Sequence, residues 1–271
     1  MSDSFSLKNK SIIVTGGTGV LGKAFIEAIA SAGGNVGILG RNKKVAEERA
    51  HCIIQSGAKA IPLIADINHK EELEAANKLM LDNFGRIDGL VNAAGGNIPE
   101  AIVENGDDIF ALDMEGLEKA VKLNLWGTVL PTQIFGRTIA QNKSGSIVNI
   151  SSLSSEKALT KVLGYSLGKS AIDCYTRWMA IELANRYGDA LRMNAIMPGF
   201  FLTEQNRSLL TNTDGSYTDR GQLIIQHTPY KRMGNADELK GVLVWLLSDA
   251  SRFVTGTIVA VDGGFSAFSG V

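Results

Sequence analysis

Apolar runs of strand length recur at 11–16, 35–40, 60–66, 87–95, 145–152, 191–199 and 257–264, and longer amphipathic stretches separate most of them. The rhythm is strand, helix, strand. Runs such as Ser-Ile-Ile-Val-Thr from Ser11 and Ser-Ile-Val-Asn-Ile from Ser146 are apolar almost throughout, the mark of strands buried on both faces. This predicts an α/β fold: a doubly wound domain whose mostly parallel, seven-stranded sheet is covered by helices on both sides. No Pro/Ser/Gly-rich linker divides the chain, so 1–271 reads as a single domain. Two segments break the rhythm. One is 97–113, rich in acidic residues; the other is 204–234, which gathers Arg207, Arg220, His227, Lys231 and Arg232. Long connections in a compact domain are often binding loops, and 204–234 is expected to be the substrate loop.

Composition narrows the function. With 45% hydrophobic and 20% charged residues, the chain can bury a full core. Twenty-seven basic against 28 acidic side chains leave a net charge of -1, which offers no general attraction for nucleic acid or an anionic membrane. No apolar stretch approaches the roughly 18 residues of a membrane span, and residues 1–10 lack a secretory apolar segment, so a soluble, cytoplasmic protein is expected. Cys52 and Cys174, far apart and without metal-ligand spacing, read as two buried apolar thiols in a reducing compartment, with no disulfide and no metal.

The first strand runs into Thr15-Gly16-Gly17-Thr18-Gly19-Val20-Leu21-Gly22, followed by a helical pattern over 23–32. Gly17, Gly19 and Gly22 make a G-x-G-x-x-G in the place where a Rossmann domain holds a dinucleotide. Glycines let the backbone approach a pyrophosphate, and the helix N-terminus attracts its charge. About 20 residues on, an acidic side chain normally binds the ribose 2′-hydroxyl. Here the chain reads Leu39-Gly40-Arg41-Asn42. With no carboxylate present and Arg41 able to pair with a 2′-phosphate, NADP(H) is favoured over NAD(H), the alternative being that Arg41 is only a solvated charge. Asp66, followed by Ile67 at the end of the third run, either bonds the adenine amino group or caps the next helix.

Tyr165 and Lys169 lie four apart in a helix-compatible stretch, which puts the ammonium near the phenol. Such a pair arises by chance often enough that its context matters more. Ser152 ends the fifth strand run, where α/β sites open, and a phenol with an ordinary pKa near 10 needs a neighbouring cation to work near neutrality.

Together these residues resemble the short-chain dehydrogenase/reductase family along essentially the whole chain. The resemblance runs from the glycine turn through Asn92-Ala93-Ala94-Gly95, Asn124, Ser152, Tyr165-x-x-x-Lys169 and Pro198-Gly199-x-x-x-Thr203 to Val261-Asp262-Gly263-Gly264. One departure stands out: the middle glycine falls at Gly19, where short members of the family usually place it at the position of Val20. The resemblance implies that Tyr165 is the general acid/base, that Lys169 lowers its pKa and holds the nicotinamide ribose, that Ser152 orients the carbonyl, and that Asn124 anchors a proton-relay water. It also implies that Asn92, Ala93 and Gly95 form the cofactor-side strand end, that Pro198, Gly199 and Thr203 form the nicotinamide pocket, and that the protein is a homotetramer. Gly95-Gly96-Asn97-x-Pro99 and the segment from Thr203 through Asp214-Gly215-Ser216 to His227-Thr228-Pro229 are similar to the family's D-mannonate oxidoreductases, which interconvert fructuronate and mannonate. The substrate is then expected to be a sugar acid, its carboxylate bound first by Arg207 and second by Arg220, with His227 on a hydroxyl. Reduction of a gluconate-type keto acid or a 3-oxoacyl thioester, or a cofactor-binding sensor without turnover, are the alternatives.

Overall fold

The computed structural model describes residues 3–104, 106–203 and 206–270. Strands and helices alternate as β1 (Ser11–Thr15), α1 (Val20–Ser31), β2 (Asn35–Gly40), α2 (Lys43–Gln55), β3 (Ala60–Ile64), α3 (Lys70–Phe84) and β4 (Gly89–Asn92). There follow α4 (Met114–Val121), a wider π-helical turn (Lys122–Trp126), α5 (Gly127–Gln141), β5 (Gly145–Ile150), α6 (Leu163–Tyr187) and β6 (Leu191–Pro198). The chain ends through α7 (Arg207–Leu210), α8 (Asp219–His227), α9 (Lys240–Leu247) and β7 (Ile258–Val261). Among the described residues the seven strands form one parallel sheet in the order β3-β2-β1-β4-β5-β6-β7, as the apolar runs predicted.

Every residue of β1 is buried, because helices cover both faces. Alternate side chains divide between two cores, the period of two expected of a strand. Ile12 and Val14 join Phe25 and Ile29 of α1 and Leu243 and Leu246 of α9. Ile13 turns the other way, to Leu73 and Met80 of α3 and Phe135 and Ile139 of α5. Because β1 is flanked by β2 on one side and β4 on the other, the connections leaving their carboxyl ends diverge and open a crevice there.

Several boundaries shift. The runs 87–95 and 257–264 contain strands of only four residues, Gly89–Asn92 and Ile258–Val261, since the residues that follow leave the sheet to wall the crevice. Helix α1 begins at Val20, three positions before the periodic pattern. The expectation of buried thiols is overturned: Cys52 and Cys174 are both exposed. Helix α2 turns Ala46, Ala50 and Ile53 inward, which leaves Cys52 on its outer side, and Cys174 takes the corresponding outer position on α6.

The segment 204–234 begins with Glu204 and Gln205, which lie outside the described residues. From Asn206 onward it folds into α7 and α8 around a small core of its own, Leu210, Ile224 and Met233. No helix among the described residues is long and apolar enough to cross a membrane, and no cluster of His, Cys, Asp or Glu among them is suited to a metal ion.

The turn between β1 and α1 depends on absent side chains. A Cβ at Gly22 would lie 2.1 Å from the Gly16 carbonyl oxygen, and neither backbone can give way. Gly22→Ala is therefore expected to lose at least ~2 kcal/mol of stability. Gly241→Ala, on α9 where a Cβ meets nothing within 4 Å, should gain ~0.5–1 kcal/mol. Urea unfolding of the two variants checks both, and equal stabilities would contradict the packing described.

Candidate active site

The crevice at the carboxyl ends of β1, β2 and β4 is a groove of about 640 Å³. Gly16, at φ +64°, turns the chain at its base, where a Cβ would come within 2.9 Å of the Ala93–Ala94 backbone. Thr15 fixes the facing wall, its hydroxyl oxygen accepting from the amides of Ala93 and Ala94 at 3.1 Å each. No side chain caps the start of α1, so the first amides of that helix are available to an anion. This backbone cradle, which a Cβ at Gly16 or Gly22 would destroy, suits a pyrophosphate. Thr18, Gly19, Val20, Leu21, Asp66, Ile67, Ala93 and Gly95 all line the groove as expected, and so do Tyr165 and Lys169.

Two expected residues lie beneath it. A Cβ at Gly17 would meet Ile38 at 2.9 Å, so this glycine serves packing against β2. Asn92 is buried and spends its amide on Thr132 (2.9 Å) and Asn149 (2.8 Å). At the groove's open end Arg41 is 79% exposed, its guanidinium 3.8 Å from the Asp66 carboxylate. Asp66 does not cap α3, whose N-cap is His69; its carboxylate accepts from the Asn68 amide at 2.8 Å and shapes the turn before the helix.

Arg49 was not anticipated. It reaches from α2 to donate through Nη1 to the carbonyl oxygens of Gly17 (2.5 Å) and Gly19 (2.7 Å), and partial burial lowers its pKa. In the sequence it reads as one more charge on a polar helix. The available signal was its place one turn from Ala46 and Ile53 and beside Ala50, the buried face of α2.

Farther along the groove, Lys169 is 5% exposed and donates to the Ile150 carbonyl at 2.7 Å, with its Nζ 5.5 Å from the centre of the Tyr165 ring. Tyr165 and Ser152 line the same cavity. Burial pushes the Tyr165 phenol up, and the neighbouring Ser152 hydroxyl opposes that shift. Burial also pushes the Lys169 ammonium down to about 8, against the pull of buried Asp173. Desolvation penalises both charged forms, and the ammonium is hydrogen-bonded to the Ile150 carbonyl.

Asn124 sits on the π-helical turn, fully buried. Its amide nitrogen donates to the carbonyls of Gly96 (2.9 Å) and Ala120 (2.8 Å), and its amide oxygen accepts from the Gly96 amide at 3.0 Å. Its own main-chain carbonyl accepts from Thr128 at 2.9 Å. The side chain thereby latches the groove wall at Gly96.

A second cavity of about 170 Å³ adjoins the groove. Ser152, Tyr165, Pro198, Gly199, Thr203 and Arg220 line it among apolar Leu153, Leu159 and Leu209, and Tyr165, Thr203 and Asn97 face both spaces. Arg220 is held by Thr160, through the hydroxyl at 2.9 Å and the carbonyl at 3.2 Å. Arg207 and His227 are exposed and outside this lining. The rotation of α7 explains Arg207: Leu209 and Leu210 turn inward. His227 closes α8 at the end remote from Arg220.

Comparison with known proteins gives a consistent picture. The family model described as Enoyl-(Acyl carrier protein) reductase matches residues 18–266. The uncharacterised oxidoreductase UxuB of Bacillus subtilis is 40% identical over 275 residues, covering 98% of each chain. A crystallised candidate D-mannonate oxidoreductase from Haemophilus influenza, with bound NAD, is 38% identical with a TM-score of 0.90 and 98% coverage of both chains. A gluconate 5-dehydrogenase from Burkholderia cenocepacia in complex with NADP and tartrate is 29% identical, with a TM-score of 0.87 and 98% coverage of both.

The buried Lys169 makes a prediction about stability. Its folded pKa of about 8 lies below the unfolded value near 10.4, so between these the unfolded state holds the extra proton and stability rises with pH. Below pH 8 the cost of the buried charge is fully present. Lys169→Met should therefore melt at or above wild type at pH 7, by up to ~4 °C, with the difference shrinking toward pH 10. A lower melting temperature at pH 7 would contradict a costly buried ammonium.

Proposed function

The chain belongs to the short-chain dehydrogenase/reductase family, and on that premise we propose that it transfers hydride between a nicotinamide cofactor and the ketone or secondary alcohol of a sugar acid of the fructuronate/mannonate type. One observation carries the reading. The phenol–serine pair of Tyr165 and Ser152 and the guanidinium of Arg220 line one small cavity that joins the dinucleotide groove. A carbonyl at the pair and a carboxylate at the guanidinium are what such a substrate brings. The names of the relatives bound to NAD, or to NADP and tartrate, support the same class.

In this reading Gly16, Thr18, Gly19, Val20, Leu21 and Gly22 hold the pyrophosphate, with Gly17 packed behind them. Arg41, Asp66 and Ile67 take the adenosine end. Ala93, Gly95, Pro198, Gly199 and Thr203 take the nicotinamide half, with Asn92 bracing the wall from below. When bound, the nicotinamide supplies or accepts the hydride. Tyr165 is protonated at neutrality, and burial favours that form further, the state required to give a proton to the carbonyl oxygen during reduction. Ser152 donates to the same oxygen as negative charge grows on it. The Lys169 ammonium, fixed under the ring by Ile150, favours the phenolate left behind. Asn124 contributes indirectly, by holding the wall at Gly96.

NADP(H) is the favoured cofactor, since the exposed Arg41–Asp66 pair is weak and free to yield the guanidinium to a 2′-phosphate. The apolar outer stripe of α6, with Leu167, Trp178 and Ile181 each about half exposed beside an equally exposed Trp126, supports a homo-oligomer, read as a tetramer in the cytoplasm.

Nicotinamide absorbance with fructuronate, 5-ketogluconate and a 3-oxoacyl thioester, using both cofactors, tests the proposal. Turnover fastest with fructuronate and NADPH is expected. Tyr165→Phe should retain cofactor binding and lose ~10²–10⁴-fold in kcat. Binding without turnover on every substrate would instead indicate a sensor.

Arg220→Ala should lower kcat/KM for fructuronate by ~10–100-fold while affecting neutral fructose far less. Equal losses on both would remove carboxylate recognition from Arg220 and move the thioester alternative ahead.

A further inference from the structure

The glycine-rich turn has little of its own to hold it in shape. Gly17 and Gly19 carry no side chains, and a peptide plane flanked by glycine reorients at small steric cost. Their amides are already committed, Gly17 N–H to the Leu39 carbonyl at 3.0 Å and Gly19 N–H to the Gly16 carbonyl at 2.9 Å. Their carbonyls meet at a single nitrogen, Nη1 of Arg49, at 2.5 and 2.7 Å across some 30 residues of sequence. The Gly19 carbonyl also accepts the first bond of α1, from Lys23 at 3.0 Å.

A trans peptide unit is planar, with its carbonyl and the next N–H on opposite sides. Fixing the Gly17 carbonyl therefore fixes the direction of the Thr18 amide, and fixing the Gly19 carbonyl fixes that of the Val20 amide. Both point opposite to the carbonyls that Nη1 holds, and Thr18, Val20 and Arg49 itself line the groove. We infer that Arg49 is a positioning residue for the cofactor: by gripping two carbonyls on the α2 side it aims the Thr18 and Val20 amides at the pyrophosphate. The inference rests on the dinucleotide reading of the groove, and it separates Arg49 from Arg41. Arg41 is exposed at the ribose end and discriminates between cofactors, whereas Arg49 acts on the part that NADH and NADPH share.

Arg49→Ala and Arg49→Lys, titrated with NADH and NADPH by nicotinamide fluorescence, provide the test, alongside melting of the ligand-free proteins. Arg49→Ala should raise Kd for both cofactors by the same factor, about 10-fold or more, as expected for a lost charged hydrogen bond, while the melting temperature stays within a few degrees. Lysine, which reaches one carbonyl but cannot offer a planar fork, should recover part of the affinity. Three results overturn the inference: both Kd values within twofold of wild type, a loss confined to NADPH, or a fall in melting temperature with unchanged Kd. If wild type binds neither cofactor, the dinucleotide reading itself has failed.

Discussion

The site is built on a contact too close for a side chain. Helix α1 rests its backbone at Gly22 on the carbonyl of Gly16, at a distance where a Cβ would stand 2.1 Å from oxygen. That approach sets how near the helix N-terminus comes to the floor of the groove, and hence how strongly its amides and dipole act on an anion there. The opposite wall is set with similar economy. The Thr15 hydroxyl gathers two successive amides from the end of β4, and the Asn124 amide bonds both polar groups of Gly96 farther along. Around the glycine turn the groove is therefore shaped by close main-chain contacts.

The Tyr165–Lys169 cluster lies under a different constraint. Packing Lys169 and Tyr165 against one another within the fold removes water from both, so each is biased toward its neutral form. Such an arrangement costs stability and suits a proton donor. The same burial that disfavours a charged lysine keeps the phenol protonated, and the Ile150 carbonyl fixes the ammonium where a developing phenolate would use it. A site of this kind is poised by its surroundings rather than by a permanent ion pair.

What was legible in the sequence follows the range of the interactions. The parallel sheet was visible because buried strands are apolar on both faces, a local property of each run. The glycine turn was visible from its place between the first strand and helix, whereas Ser152, Tyr165 and Lys169 were picked out through the family resemblance, their spacing alone being common by chance. Arg49 was hidden because its partners lie some 30 residues away and its helix looks polar. The placement of Arg207 and Arg220 and the exposure of the two cysteines turned on helix rotation, which a few residues of α7, or one misjudged face of α2, do not reveal. The buried latch at Asn124 was hidden because residue type alone does not say which partners its hydrogen-bonding groups find.

The small core of Leu210, Ile224 and Met233 has a consequence for how this scaffold changes its substrate. The segment that contributes Leu209, Leu210 and Arg220 to the second cavity is stabilised in part by its own packing, apart from the two large cores that flank the sheet. Substitutions within it can remodel the cavity while the layers carrying the groove, Tyr165 and Lys169 remain intact. On the proposed reading, the reaction and the recognition of substrate would thus be carried by separately packed parts of the chain. Grafting that segment, with its miniature core kept whole, is the economical route to a new specificity on the same sheet.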